Sequence, residues 1–370
     1  MRITFVLDTF GGGGKERRCL QLIQGLNKEG YNNIQVIIIN NDIAYQEIYN
    51  ADIELHIIDR KNKGLNTFKT LRILHKLFKD FKPDIVQVWG LFSAFFTNII
   101  RLFTPFKFIG SYVADCNKPK LFSIAKITVL LNILLADYII GNSKEGLKTY
   151  GIPENKAKVI YNGFNEKRYD NQFVMDKLQV RNNLNITNKF VIPMIARVDD
   201  NKDQKTFIDA AKSILKDRND IDFLIVGKGH NLEKLKIMIT QKESKHIHFL
   251  GFRTDVENII KISTLTVLCT NPLLHKEGVS NAILESLAFG VPVIATNDGG
   301  TPEIIDSGIN GYLIDAFDSN ELKEKITEIL DNEELHLRLS ENAINTVKDK
   351  FTLNKMTNSY IELYKNLYLK

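Results

Sequence analysis

The chain has 370 residues, more than one compact core commonly holds and about right for two domains. With 44% hydrophobic and 25% charged residues it reads as an ordinary globular protein, which excludes a disordered or low-complexity chain, and no solenoid repeat is visible. Net charge is only +5, and the three cysteines, Cys19, Cys116 and Cys269, are too scattered for a metal site, so a reducing cytoplasmic compartment is expected.

The start, Met1 to Asp8, reads as a strand and not as a signal peptide, because its apolar run is short and leads into glycines. Phe10-Gly11-Gly12-Gly13-Gly14-Lys15-Glu16-Arg17 follows, then a helix with Leu20, Ile23 and Leu26 on one side. Glycines permit close approach of a ligand to the backbone, and a helix start offers N–H groups to an anion. The phosphate loop of nucleotide triphosphatases needs Ser or Thr after the lysine, and Glu16 stands there. A glycine-rich turn without a ligand is the plainer alternative.

Further strands are expected at 34–39, 53–58, 85–89, 106–109, 138–140 and 158–161, then at 190–196, 222–226, 247–250, 265–269, 292–295 and 311–314. Continuous apolar runs between helical patterns indicate parallel strands buried on both faces. The fold class is therefore α/β, with two doubly wound domains facing across a cleft and ligands at the carboxyl ends of the strands. The polar stretch Asn162 to Lys189 is the expected boundary: residues 1–168 and 352–370 form one domain, and 169–351 the other. The segment Phe351 to Lys370, with Met356, Tyr360, Leu363, Tyr364 and Leu367, is expected to cross back onto the first domain.

Two stretches of the first half stand out. From Arg60 to Lys82 there are eight Lys/Arg against Asp80 alone, giving +7, while Leu65, Phe68, Leu71, Leu74, Leu77 and Phe81 recur at helical spacing. One face packs and the other is cationic: either a solvated helix or a contact with anionic lipid, where each cation contributes about 1 kcal/mol. No nucleic-acid module accompanies it, so nucleic acid is not expected as a partner. Leu121 to Leu135 is too short to span a bilayer and is read as a buried helix.

The strongest signal lies in Glu277-Gly278-Val279-Ser280-Asn281-Ala282-Ile283-Leu284-Glu285. Ser280 or Asn281 can cap a helix that Gly290 ends. Glu277 then precedes the helix start and Glu285 lies in its second turn. A diphosphate fits between them, with each carboxylate accepting two hydrogen bonds from a sugar or ribose diol. Arg197, at a strand end, and Lys202, in the next loop, suit a diphosphate whose charge grows in the transition state; losing such a donor costs about 10²–10³ in rate. Alone, each would read as a surface cation. Asp220-Ile221-Asp222 has the letters of a metal-diphosphate pair but precedes its strand, so it reads as a polar strand entry and no metal is expected.

The run Glu277 to Ile305, with Gly290-Val291-Pro292-Val293-Ile294-Ala295 and Gly299-Gly300-Thr301-Pro302-Glu303, resembles the donor site of the family 4 glycosyltransferases. The resemblance extends to Gly13-Gly14-Lys15-Glu16-Arg17, Ala136 to Ser143, Asn162-Gly163, Arg197 and Lys202, Val226-Gly227-Lys228-Gly229, Leu250-Gly251-Phe252 and the terminal helix. It implies the GT-B fold and transfer of a hexose or N-acetylhexosamine, with retention, from a nucleotide-diphosphate sugar, UDP by resemblance, without a cofactor. The acceptor would be a glycan or a lipid-linked oligosaccharide at the inner membrane face. It implies that Glu277 binds the donor sugar, Glu285 the ribose, and Arg197 and Lys202 the diphosphate, with amides near Gly278, Asn281, Ala282, Gly13 and Gly14. Lys228, Phe252 and Arg253 would lie near the base. Histidines common in the family are missing from Val86 to Gly90 and from the expected loop Gly110 to Asp115; Trp89 would be a sugar-stacking ring or core, and Asp115 a possible substrate contact. An epimerase, a glycan phosphorylase, a non-catalytic scaffold and a nicotinamide dehydrogenase are the competing readings.

Overall fold

The computed structural model describes residues 1–113, 115–117, 123–166 and 175–369. The chain divides into two compact units, Met1–Gly163 with Leu353–Lys370, and Phe164–Thr352. The expected boundary at 168/169, Ala114 and the first two residues of the Leu121 stretch lie outside the described residues.

The first unit is a seven-stranded parallel sheet of order β3-β2-β1-β4-β5-β6-β7. Its strands are β1 Ile3–Leu7, β2 Ile34–Ile38, β3 Glu54–Ile57, β4 Ile85–Val88, β5 Lys107–Val113, β6 Tyr138–Gly141 and β7 Ala157–Val159. One sheet face is covered by α1 (Gly14–Lys28) and the terminal α13 (Leu353–Tyr368), through Leu22, Ile23, Leu26, Tyr360 and Tyr364. The Tyr364 hydroxyl donates to Gln87 Oε1 on β4, so the carboxyl-terminal helix is built into this core. The other face carries α2 (Thr67–Phe81), α3 (Leu91–Arg101), α4 (Ile124–Leu135) and α5 (Lys144–Thr149).

Two expectations need correction here. Gly110 to Val113 is not a loop: β5 continues through it, with an irregularity in its pairing to β6. Nor is α4 a buried helix. Thr128, Val129 and Asn132 face inward, and Asn132 Oδ1 accepts from Asn98 Nδ2 on α3 at 3.1 Å. Ile124, Ile127, Leu130 and Leu134 are exposed. The polar Asn132 is tied to a buried partner, which turns the apolar side outward.

The second unit is a six-stranded parallel sheet of order β10-β9-β8-β11-β12-β13. Its strands are β8 Phe190–Ile195, β9 Ile221–Val226, β10 Ile247–Gly251, β11 Thr266–Leu268, β12 Val293–Thr296 and β13 Gly311–Ile314. The helices are α6 (Lys177–Asn183), α7 (Gln204–Ile214), α8 (Leu232–Lys236), α9 (Val256–Ile262), α10 (Asn281–Ala288), α11 (Ser319–Asp331) and α12 (Glu333–Lys350). Helices α7, α8, α11 and α12 pack on one face, and α6 and α9 on the other. In both units the first strand is central, and the chain winds outward from it in two directions. This creates a switch point between β1 and β4 in one unit and between β8 and β11 in the other, where parallel sheets bind ligands.

Candidate active site

The switch point of the second unit brings together residues far apart in the chain. After β8 the backbone turns through Asp199–Lys202 and is stitched to the segment following β11. Lys202 forms a bridge with Thr270, the Asp203 amide donates to the Cys269 carbonyl at 3.0 Å, and the Asn271 amide donates to the Asn201 carbonyl at 3.0 Å. This crossing carries Lys202 to Glu277, where its ammonium donates to Oε1 and forms a largely buried ion pair. His275 Nε2 lies 3.4 Å from the same carboxylate oxygen. Burial, and then the charge of Arg197, depress the Lys202 ammonium from its ordinary value to about 8, with Asp199 opposing.

The backbone of Glu277 is held from the other side. Gly300 donates its amide to the Glu277 carbonyl at 2.8 Å, and Gly299 adopts φ +59 with so close an approach that a Cβ there would lie 2.2 Å from that carbonyl oxygen. The glycines of Gly299-Gly300-Thr301-Pro302-Glu303 thus position the loop before α10. That helix starts at Asn281 with Ser280 at its cap position, although the Ser280 side chain makes no capping hydrogen bond, contrary to the expected cap. Gly290, φ +70, ends it as expected. Asn281 and Ala282 form its first turn, and Glu285 sits buried in its second.

The remaining candidates of this unit line the carboxyl ends of β8, β9 and β10. Arg197 is exposed and its guanidinium lies 3.3 Å from Asp199, not against Glu277. Gly227, φ +153, lets the Lys228 loop lie directly on Ala196, whose carbonyl a Cβ would meet at 1.9 Å. The Lys228 ammonium stands 4.7 Å from the centre of the exposed Phe252 ring, a cation–π contact. Arg253 is engaged by Asp255 through bonds of 2.8 and 2.7 Å, which occupy the Nε and Nη2 side of its guanidinium. Asp220 and Asp222 lie at the opposite, amino end of β9. Asp220 pairs with Arg218, and Asp222 accepts from Asn188 and lies 2.8 Å from His248 Nε2. Burial raises the Asp222 carboxyl, but these hydrogen bonds outweigh it and the net shift is downward.

In the first unit the glycine loop meets its own switch point. Gly13 occupies the cap position of α1 and Gly14 begins it. Asp8, just after β1, accepts from the Ser93 amide at the start of α3 at 2.6 Å, and Gly90 is where a Cβ would strike that carboxylate. Trp89 is 1% exposed, packed against Phe5 and Tyr360 and beneath the Arg18 guanidinium, so it is a core residue. Asp115 accepts from the Tyr150 hydroxyl at 3.1 Å.

His275 escaped the sequence reading: an isolated histidine in an apolar Leu-Leu-His run has no signature, and its relation to Glu277 two residues on depends on the loop's turn.

Each unit is thus a doubly wound parallel sheet, and the second carries an acid–cation pair at its switch point. Residues 176–346 match the family described as glycosyl transferases group 1, and residues 12–168 match glycosyltransferase family 4. The chain belongs to the family 4, group 1 glycosyltransferases and is a glycosyltransferase. It is 26% identical over 346 residues to N,N'-diacetylbacillosaminyl-diphospho-undecaprenol alpha-1,3-N-acetylgalactosaminyltransferase of Campylobacter jejuni, covering 89% of this chain and 90% of that one. It is 25% identical over 371 residues to the capsular polysaccharide biosynthesis glycosyltransferase CapM of Staphylococcus aureus, covering 91% of each. Its structure is similar to the crystal structure of Anabaena HepE in complex with UDP, with TM-score 0.83, 20% identity, and coverage of 99% of this chain and 100% of that chain. The fold is GT-B.

Proposed function

We propose that the chain transfers a hexose or N-acetylhexosamine from a UDP-sugar, with retention, to a hydroxyl of a glycan or lipid-linked oligosaccharide in surface-polysaccharide assembly. The observation that carries this reading is the Lys202–Glu277 pair at the start of α10. A cation already desolvated and held charged by a carboxylate is prepared for a diphosphate, since no solvent must be reorganised when charge develops. HepE is described in complexes with UDP and with UDP-glucose, and the Campylobacter relative is named for a diphospho-undecaprenol acceptor, which supports donor and acceptor class.

In this reading Lys202 and Arg197 bind the diphosphate with the amides of Gly278, Asn281 and Ala282. Glu277 accepts hydrogen bonds from the donor sugar and Glu285 from the ribose, while Lys228, Phe252 and Arg253 lie toward the base. Arg253 serves by holding Asp255 and the loop rather than by reaching the base itself. The amides of Gly13 and Gly14, at the start of α1, are a second candidate for phosphate oxygens. The bond from the anomeric carbon to the phosphate oxygen breaks, and the acceptor oxygen bonds to that carbon on the same face. Its proton passes to the departing phosphate, whose charge Lys202 and Arg197 stabilise. The cations of residues 60–82 face an anionic membrane, which presents the lipid-linked acceptor.

The test is a panel of nucleotide sugars read by donor-dependent thermal shift, followed by transfer from the stabilising labelled donor. A UDP-sugar that stabilises the wild type and not Glu277→Ala, and whose sugar is transferred with retained configuration, supports the proposal. Stabilisation by a nicotinamide dinucleotide alone would overturn it.

A further inference from the structure

Helix α4 is amphipathic in the reverse of the usual sense. Its buried side is Thr128, Val129 and Asn132, and its outer side is Ile124, Ile127, Leu130 and Leu134, with Ile124 and Leu134 each 72% exposed. The spacing of three and four residues places these four on one stripe. The helix is firmly held: Ser123 caps its start by accepting from the Lys126 amide, and the Lys156 ammonium donates to the carbonyls of Ile133, Leu134 and Ala136 at its end. The stripe is therefore presented by an ordered element. Beside it, α3 packs on α4 and is followed by Leu102 and Phe103, which are also exposed. Contiguous apolar surface of this kind marks an interaction site.

Its surroundings identify the partner. Helices α2, α3 and α4 cover the same face of the first sheet, so their outer sides share one surface. On α2 the exposed residues include Lys69, Arg72, Lys76 and Lys79, with Asp80 the single acid among them, and among the described residues no carboxylate forms an ion pair with any of the four cations. Arg72 lies over the exposed Phe68 ring at 4.7 Å. An apolar stripe flanked by cations fits a bilayer with anionic headgroups, acyl chains receiving the first and headgroups the second. A second copy of this chain fits poorly, because the cationic helices would meet like charge.

We propose that α4 is the element that enters the bilayer, with Ile124, Ile127, Leu130 and Leu134 at the acyl boundary while the α2 cations engage anionic headgroups. The proposal rests on the membrane reading of residues 60–82 and adds the apolar anchor. It predicts two separable components of binding, one weakened by salt and one insensitive to it.

The experiment is co-sedimentation of the full chain with phosphatidylcholine vesicles, with and without about one third phosphatidylglycerol, at low and high salt. Expected is binding to the anionic vesicles that salt weakens without abolishing. The variant Ile127→Ser/Leu130→Ser reduces binding about tenfold or more at both salt levels, with unchanged thermal stability and unchanged donor binding. The variant Arg72→Glu/Lys76→Glu removes the salt-sensitive part alone. Because donor binding and transfer to a detergent-soluble acceptor are measured on the same samples, loss of the anchor is distinguishable from failure of the transferase reading. Vesicle binding unaffected by Ile127→Ser/Leu130→Ser, no binding to any vesicle, or a wild-type dimer that this variant converts to monomer would each overturn it.

Discussion

Lys202 and Glu277, 75 positions apart, meet because the loop after β8 and the loop after β11 are sewn together across the switch point of the second sheet. Their pair is largely buried, and the surrounding protein depresses the lysine to about 8. A cation so placed is conditional: it stays charged while carboxylates or a diphosphate accompany it.

The first prediction concerns pH. Burial and Arg197 lower the folded-state value of Lys202 below its ordinary 10.5, so the lysine is ammonium below about 8 and amine above it. kcat/KM should fall on the alkaline side with an apparent value near 8. In Lys202→Arg, which stays charged, that limb should move beyond the measurable range. For stability the sign is opposite. Between about 8 and 10.5 the unfolded chain binds the extra proton, so this group's contribution improves as pH rises through that window.

Removing the pair should affect chemistry before fold. Lys202→Ala is expected to lower kcat by about 10²–10³. Glu277→Ala should abolish donor-dependent stabilisation as well as transfer. Steady-state kinetics with a labelled donor, beside a thermal melt, checks both.

His275 should act through Glu277. A hydrogen bond to a charged group contributes about 1.5–3 kcal/mol, so His275→Ala should cost about 10- to 100-fold in kcat/KM. His275→Gln, which retains a donor, should restore part of it. Equal loss in the two variants would argue against hydrogen-bonded positioning.

Gly299→Ala should be damaging despite its small size. A side chain at φ +59 costs about 1–2 kcal/mol, and its Cβ would press on the Glu277 carbonyl. Lower melting temperature together with weakened donor binding is expected, while alanine at the exposed Thr67 should change neither.

Turnover should survive a chelator. The carboxylates of Asp220-Ile221-Asp222 are engaged by Arg218, Asn188 and His248 at the amino end of β9, away from the loops that hold Glu277. Assay after EDTA treatment, with and without added divalent cation, checks this.

Most of the architecture was legible in the chain. Apolar runs such as 36–38 and 223–226 announce parallel strands because both faces must be dry, and Gly290 ends α10 because φ +70 suits glycine. The two acids were legible too, since Glu277 and Glu285 stand close in the chain on either side of a helix start. What tertiary structure alone decided depends on partners distant in sequence. Strand order placed Lys202 on Glu277 and left Arg197 beside Asp199; the turn of one loop aimed His275; and Asn98 drew Asn132 inward, exposing the apolar side of α4. Periodicity reports that a helix has two faces. Which face is buried is set by what the neighbouring elements offer, and a polar side chain with a buried hydrogen-bonding partner can outweigh the apolar majority.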